Sequence, residues 1–110
     1  MIRHISVFTF RKVGPDGSLR ADNLQKLRDY LADFPARYPA IRRQQLAVPA
    51  FPTPDLPEEA PVLFGDLIQI LDFDTVEDAA GYPDSEAHTS LGPIFTPLLR
   101  KVTAIDYEIE

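Results

Sequence analysis

Two side chains that can exchange protons lie in the stretch AGYPDSEAHTSLGPIF (residues 80–95), Tyr82 and His88. Pro83 and Asp84 between them favour a turn, and the apolar residues that follow have helical spacing, so we expect His88 near the start of a helix. A neutral imidazole beside an apolar cavity is a competent general base, and a tyrosine hydroxyl can orient or polarise a carbonyl. The pair therefore indicates acid–base catalysis. The alternative is that both side chains only pack in the core.

The other histidine, His4, lies in the alternating segment MIRHISVFTF, where it shares one strand face with Ser6 and Phe8. Both faces of this strand carry apolar groups. We expect Ile5 and Val7 to pack on the helices, which would place His4 and Phe8 inside the cavity of a dimer.

Other common chemistries have little support in the sequence. There is no cysteine, no glycine-rich phosphate loop, no histidine–carboxylate cluster at ligand spacing and no Ser-His-Asp motif. The acidic run Asp72, Asp74, Glu77 and Asp78 is typical of a capped and solvated turn. We therefore predict no metal and no cofactor.

Length and charge restrict the partners further. A chain of 110 residues predicts a single domain over residues 1–110. The net charge of −6 argues against a nucleic-acid backbone or an anionic membrane as partner. No run of apolar residues is long enough for a membrane span or a signal peptide, and the lack of cysteine fits a reducing compartment, so we expect a cytoplasmic protein.

The hydrophobic periodicity predicts the order β-α-β-β-α-β, in which the second α position comprises two helical segments. Four strands are expected in MIRHISVFTF, AIRRQQLAV, VLFGDLIQILDF and VTAIDYEIE, the second of them at a sheet edge and the first and third near the centre. One helix is predicted in LRADNLQKLRDYLADF, a short one capped by Thr75 in TVEDAAGY, and a further helical region over about 85–101. This order builds an α+β fold with a four-stranded antiparallel sheet and the helices on one face.

Between the second and third strands lies a proline-rich segment that includes Pro49, Pro52, Pro54, Pro57 and Pro61. So many prolines exclude regular structure. The segment is either a passive connection or a lid over a binding cavity, in which case Phe51 and Leu56 would contact the ligand.

If Tyr82 and His88 form a site, we expect both to open onto one pocket that is closed by this proline-rich segment. We expect that pocket to be walled partly by His4, Phe8 and apolar residues of FGDLIQIL (residues 64–71).

The free face of the sheet predicts self-association. Strands one and three are apolar on both sides, so a monomer would expose a large hydrophobic surface. Two sheets packed about a two-fold axis would cover it and enclose a barrel-like interior.

Three parts of the chain, in this order, resemble the stress-responsive A/B barrel (Dabb) family: MIRHISVFTF, FGDLIQILDFDTVEDAAGYPDSEAHTS and TPLLRKVTAIDYEIE. The resemblance covers nearly the whole chain apart from the proline-rich segment. It implies a ferredoxin-like unit that dimerises through its open sheet face into a dimeric α/β barrel. The family often has His-Pro where this chain has Ser85 and Glu86.

The resemblance also implies a function. The chain is similar to polyketide cyclases of the olivetolic acid cyclase type, which close a poly-β-keto chain by an aldol reaction without a cofactor. In that comparison Tyr82 and His88 occupy the two catalytic positions, and His4 occupies the position of a histidine that lines the cavity. We therefore expect a hydrophobic, oxygenated small molecule as ligand. The alternatives are a non-catalytic stress-responsive or ligand-binding dimer and a cofactor-independent monooxygenase.

Overall fold

The predicted β-α-β-β-α-β order is confirmed by the computed structural model, which describes residues 1–51, 53–57, 59–62 and 64–109. Pro52 of the proline-rich segment and Leu63 of the predicted third strand lie outside the described residues. The elements are β1 (Ile2–Phe10), α1 (Arg20–Leu31), α2 (Phe34–Arg37), β2 (Ile41–Ala47), β3 (Leu67–Phe73), α3 (Val76–Gly81), α4 (Glu86–Thr89), α5 (Leu91–Phe95), a 3₁₀ turn (Thr96–Leu98) and β4 (Leu99–Glu108).

The four strands form one antiparallel sheet in the order β2-β3-β1-β4. The predicted positions of the strands are confirmed, because β1 and β3 are central and β2 lies at an edge. The strand register places His4 between Leu71 of β3 and Asp106 of β4. Directly opposite residues point to the same side of a sheet, so all three side chains share one face.

The prediction that Ile5 and Val7 pack on the helices is wrong. His4, Ser6, Phe8 and the fully buried Phe10 are the buried residues on the helix-covered face, whereas Ile5 and Val7 are only half-buried on the open face. The sequence pattern was ambiguous because both faces are apolar, and the larger phenyl rings take the core side, where they bury more apolar area. His4 and Phe8 therefore lie under the helices of their own chain, and not in a cavity between two sheets.

The third strand is shorter than predicted, because it begins at Leu67 and not at Val62. The carboxylate of Asp66 accepts a hydrogen bond from the backbone N–H of Phe10 at 2.7 Å, which ends the pairing of the backbones. A Cβ atom on Gly65 would lie 2.2 Å from Cγ1 of Val7, so the chain approaches β1 at a position that only glycine fits.

The predicted helical region over 85–101 is broken into α4, α5 and the 3₁₀ turn, and β4 already begins at Leu99. Pro93 and Pro97 have no backbone N–H to donate, so they limit the length of each turn. The predicted cap of the preceding helix is confirmed, since the Thr75 hydroxyl accepts a hydrogen bond from the Asp78 backbone N–H. Within the described ranges, no helix combines the length and the apolar character that crossing a lipid bilayer requires.

Candidate active site

His88 lies in the first turn of α4, as predicted, and the local sequence determines its orientation. Ser85 is the N-cap of this helix, and its hydroxyl accepts the backbone N–H of His88 at 3.2 Å and donates to the carbonyl of Tyr82 at 2.6 Å. The imidazole turns back over this bend, and its Nδ1 lies 3.0 Å from the carbonyl oxygen of Pro83.

The contact with Pro83 determines which ring nitrogen of His88 can act as a base. A carbonyl oxygen only accepts hydrogen bonds, so Nδ1 must carry the proton and donate it. The lone pair of the neutral ring is then on Nε2. The described part of the chain offers no hydrogen-bond partner to Nε2. His88 therefore presents one unoccupied basic nitrogen.

Tyr82 lies between the two histidine rings. Its ring centroid is 5.1 Å from that of His88 and 5.5 Å from that of His4, both in edge-to-face geometry. The side chain is 2% exposed. The hydroxyl has no hydrogen-bond partner of normal geometry among the described residues, although the Gln69 side chain lies near it. Burial raises the pKa of Tyr82 to about 12, and Gln69 offsets part of that rise, so the hydroxyl stays protonated and can donate.

Both nitrogens of the second histidine, His4, are occupied. Nδ1 lies 2.8 Å from Oδ1 of Asp106, and Nε2 lies 2.8 Å from Oγ of Ser6. The motif search missed this trio because Ser6 and His4 are two residues apart on one strand, while Asp106 joins them only through the pairing of β1 with β4. Only the strand register could have revealed it.

A pocket of about 240 Å³ lies beside His88. Phe8 is among the residues that line it, but Tyr82 and His4 are not, so the prediction that Tyr82 and His88 open onto one pocket is wrong. The structure thus brings Tyr82 into contact with both histidines and opens only His88 and Phe8 to this pocket. The lining is Phe8, Leu27, His88, Leu91, Gly92, Phe95, Thr96, Leu99 and Val102.

Phe51 does not make the contact with this site that we expected. It is 82% exposed and lines a separate pocket of about 330 Å³ beside Arg20 and Asp66. Several contacts hold the proline-rich segment there. Asp55 pairs with Lys12 and Arg20, and the Thr53 hydroxyl donates to the backbone carbonyl of Gly65. The predicted closure of the His88 pocket by this segment is therefore wrong. The expectation that apolar residues of FGDLIQIL form part of its wall is also wrong, because no residue of 64–71 lines it.

A third pocket, of about 390 Å³, is lined by Asp106 and Pro83 together with apolar residues of α3 and β1. Asp106 and Pro83 are also the residues whose oxygen atoms accept hydrogen bonds from the two imidazole rings. In the described ranges, no group of three or more carboxylate or histidine side chains is arranged to hold a metal ion.

Comparison with known proteins supports the fold. No protein-family model matches the sequence, and no curated protein is significantly similar to it. The chain has the same fold as a Dabb family protein from Mesorhizobium loti, with 19% identity, a TM-score of 0.62 and coverage of 99% of this chain and 96% of that one.

Two further solved structures share this ferredoxin-like fold. One is a dimeric ferredoxin-like protein of unknown function from Thermobifida fusca, with 18% identity, a TM-score of 0.71 and coverage of 98% of this chain and 90% of that one. The other is a hydroxynitrile lyase from Passiflora edulis, with 15% identity, a TM-score of 0.73 and coverage of 99% and 93%. At these identities the likeness extends to the fold alone.

Proposed function

We propose that this protein is a cofactor-free acid–base enzyme that acts on an apolar, oxygenated small molecule, with His88 as the general base. The observation that carries the proposal is the unoccupied Nε2 of His88 at the edge of an apolar pocket. The Pro83 carbonyl holds the ring in the tautomer that can accept a proton there. A base positioned in this way contributes about 10²–10⁴ in rate.

The reaction that suits this arrangement is the removal of a proton from carbon between two carbonyl groups, as in a polyketide-type cyclisation. His88 takes the proton, and the resulting enolate carbon attacks a distant carbonyl of the same chain. The new alkoxide then recovers a proton from the imidazolium, so the ring closes without any co-reactant. The apolar pocket, which Phe8 and Phe95 line, accommodates the hydrocarbon part of such a chain.

Tyr82 is the proposed donor to the carbonyl oxygen that becomes negatively charged. Its hydroxyl is protonated and has no hydrogen-bond partner of normal geometry among the described residues, so it can donate to a substrate oxygen. Because the side chain is buried, the proposal requires the turn between α3 and α4 to shift when the substrate enters.

We also propose that the protein is a homodimer that pairs through the open sheet face. That face presents half-buried and exposed apolar side chains, among them Ile5, Val7 and Ile105, and Ile105 is 61% exposed. A patch of this kind rarely remains in contact with water in a monomer. The dimer interface would lie on the side of the sheet opposite to His88, so each protomer would carry a complete site.

The test uses 1-phenylbutane-1,3-dione in D₂O, because its acidic methylene exchanges at a rate that proton NMR can follow. The wild-type protein should accelerate this exchange, and His88→Gln should lose about 10²-fold or more of the acceleration. Thr89→Ala, one residue further along the same short helix and exposed, is the matched control and should keep it.

Two results would replace the proposal. Saturable binding of the dione without any faster exchange would support a non-catalytic ligand-binding dimer. Oxygen consumption with an electron-rich phenol, together with no exchange, would support the cofactor-independent monooxygenase.

A further inference from the structure

We propose that Ser6, His4 and Asp106 form a Ser-His-Asp triad, which gives the protein a second, nucleophilic chemistry toward carboxylic esters. The hydroxyl of Ser6 lies 2.8 Å from Nε2 of His4, and Nδ1 of the same ring lies 2.8 Å from a carboxylate oxygen of Asp106. This chemistry does not involve His88, and it goes beyond the acid–base function proposed above.

The hydrogen-bonding capacities of the three groups assign their roles. A carboxylate can only accept a hydrogen bond, so Nδ1 of His4 carries the proton and donates it to Asp106. Nε2 then has its lone pair directed at the hydroxyl of Ser6, which must donate to it. This is the arrangement in which a serine is activated as a nucleophile, with the histidine as base and the aspartate as positioning residue.

The backbone fixes this geometry. Ser6 and His4 are alternate residues on one face of the central strand β1, and Asp106 lies directly opposite His4 on β4. Cross-strand neighbours of this kind have Cβ atoms about 4.5–5.5 Å apart. All three groups are therefore carried by paired strands, which hold a site more precisely than loops do.

Tyr82 is available to stabilise the oxyanion that an attack on an ester would produce. Its ring packs edge-on against His4, and its hydroxyl lies near Gln69, the residue directly opposite Ser6 on β3. The hydroxyl is buried and has no hydrogen-bond partner of normal geometry in the described part of the chain. A fixed donor near a developing negative charge is the requirement for such stabilisation.

Two pockets border residues of the triad and offer space for the acyl and alcohol parts of an ester. Phe8, two residues after Ser6, lines the pocket of about 240 Å³, and Asp106 lines the pocket of about 390 Å³. Ser6 itself is 5% exposed and lines neither pocket, so an ester reaches its hydroxyl only when the turn between α3 and α4, which carries Tyr82, shifts away from β1.

The reaction balances with water as the only co-reactant. Oγ of Ser6 forms a bond to the ester carbonyl carbon while its proton passes to Nε2 of His4. His4 then protonates the leaving alkoxide as the ester C–O bond breaks, which leaves an acyl-serine. Water attacks the acyl-serine, gives a proton to His4, and the carboxylic acid leaves as Ser6 recovers its proton.

An alkyl fluorophosphonate tests this proposal directly, because it forms a P–O bond to an activated serine and releases fluoride. Intact-protein mass spectrometry should show one adduct for each chain, and peptide mapping should place it on Ser6. Ser6→Ala should give no adduct. Asp106→Asn, at a half-exposed position on an edge strand, should fold normally by circular dichroism and label about 10²-fold more slowly or worse.

Ser18→Ala is the matched control. Ser18 also contacts a carboxylate, that of Asp16, but no imidazole, so its loss should leave the adduct on Ser6 unchanged. The proposal is overturned if folded wild-type protein gives no adduct on Ser6, or if Asp106→Asn labels at the wild-type rate. Either result would reduce the trio to a structural hydrogen-bond network and would leave the role of His88 as it stands.

Discussion

The unpartnered hydroxyl of Tyr82 predicts that a single substitution will stabilise the protein and impair its activity. The side chain is 2% exposed, and its oxygen has no hydrogen-bond partner of normal geometry among the described residues. Burying a hydroxyl without a partner costs about 1–3 kcal/mol. Tyr82→Phe removes that cost and keeps the ring contacts, so it should raise the free energy of unfolding by about 1 kcal/mol, or the Tm by about 4 °C.

Tyr38→Phe is the control with the opposite sign. The Tyr38 hydroxyl donates to the backbone carbonyl of Asp78 at 2.7 Å, and its loss should lower the free energy of unfolding by about 1 kcal/mol. Urea denaturation of the wild type and both variants, followed by far-UV circular dichroism, measures the difference. In the dione-exchange assay Tyr82→Phe should lose about 10² in rate, the typical cost of an oxyanion donor, whereas Tyr38→Phe should keep the wild-type rate.

The same residue predicts the stability of the protein in alkali. Burial raises the pKa of Tyr82 to about 12, above the value of about 10 that tyrosine has in an unfolded chain. The native state therefore retains a proton that the unfolded state loses, and the stability that is fully present below pH 10 falls as the pH rises toward 12. The loss is of the order of 2–3 kcal/mol, and Tyr82→Phe should not show it.

Two measurements would refute this reasoning. If Tyr82→Phe lowers the free energy of unfolding by 1 kcal/mol or more, the hydroxyl has a strong partner in the folded protein and is not available to a substrate. If wild type and Tyr82→Phe lose stability equally between pH 9 and pH 11.5, the phenol is not desolvated.

Three further predictions concern the surroundings of the site. Ser85→Ala removes the cap that accepts the backbone N–H of His88, and it should lower the free energy of unfolding by about 1 kcal/mol in urea denaturation. The ion pair with Arg3 lowers the pKa of Asp72, so the stability that this pair contributes above about pH 4 should be lost as the pH falls further. In Asp72→Asn, the free energy of unfolding measured in an acid titration should decrease less over the same range. Ile105→Asp, on the open sheet face, should turn the dimer into a monomer in light scattering at micromolar concentration, and a wild-type monomer would contradict the proposed interface.

The sequence predicted the order of the elements because each one has a clear periodicity or a clear cap. It could not predict where β3 begins, since the apolar run continues to Val62 and the strand is limited by the contacts of Gly65 and Asp66 with β1. It also could not decide which face of β1 is covered. That choice depends on how well Phe8 and Phe10 fill the space beneath the helices, and this is a property of the packed molecule.

The parts of the candidate site that depend on neighbouring residues in the sequence were predictable, and the parts that depend on contacts between distant segments were not. The position of His88 at a helix start follows from the turn and the cap within a few residues of it. The expected contact of Phe51 was wrong because the path of the proline-rich segment is determined by Arg20 and other groups distant in sequence. Asp106 received no role, because its contact with His4 exists only in the sheet register.

The two histidines contact the same tyrosine, yet their hydrogen bonds suit them to different chemistry. His88 donates from Nδ1 to a carbonyl and leaves Nε2 free, which suits a base that takes its proton directly from a substrate. His4 has its base nitrogen directed at the hydroxyl of Ser6, so it is positioned to take the proton of that hydroxyl. The turnover of a substrate with an acidic C–H group should therefore change when His88 is substituted, and the turnover of an ester should change when His4 is substituted.

Both reactions place negative charge on a carbonyl oxygen. Within the described part of the chain, the hydroxyl of Tyr82 is the buried donor that contacts both imidazole rings through its own ring and has no hydrogen-bond partner of normal geometry, so it can serve both reactions. Tyr82→Phe should consequently slow both reactions, whereas His88→Gln should slow only the proton exchange and Ser6→Ala should remove only the reaction with esters.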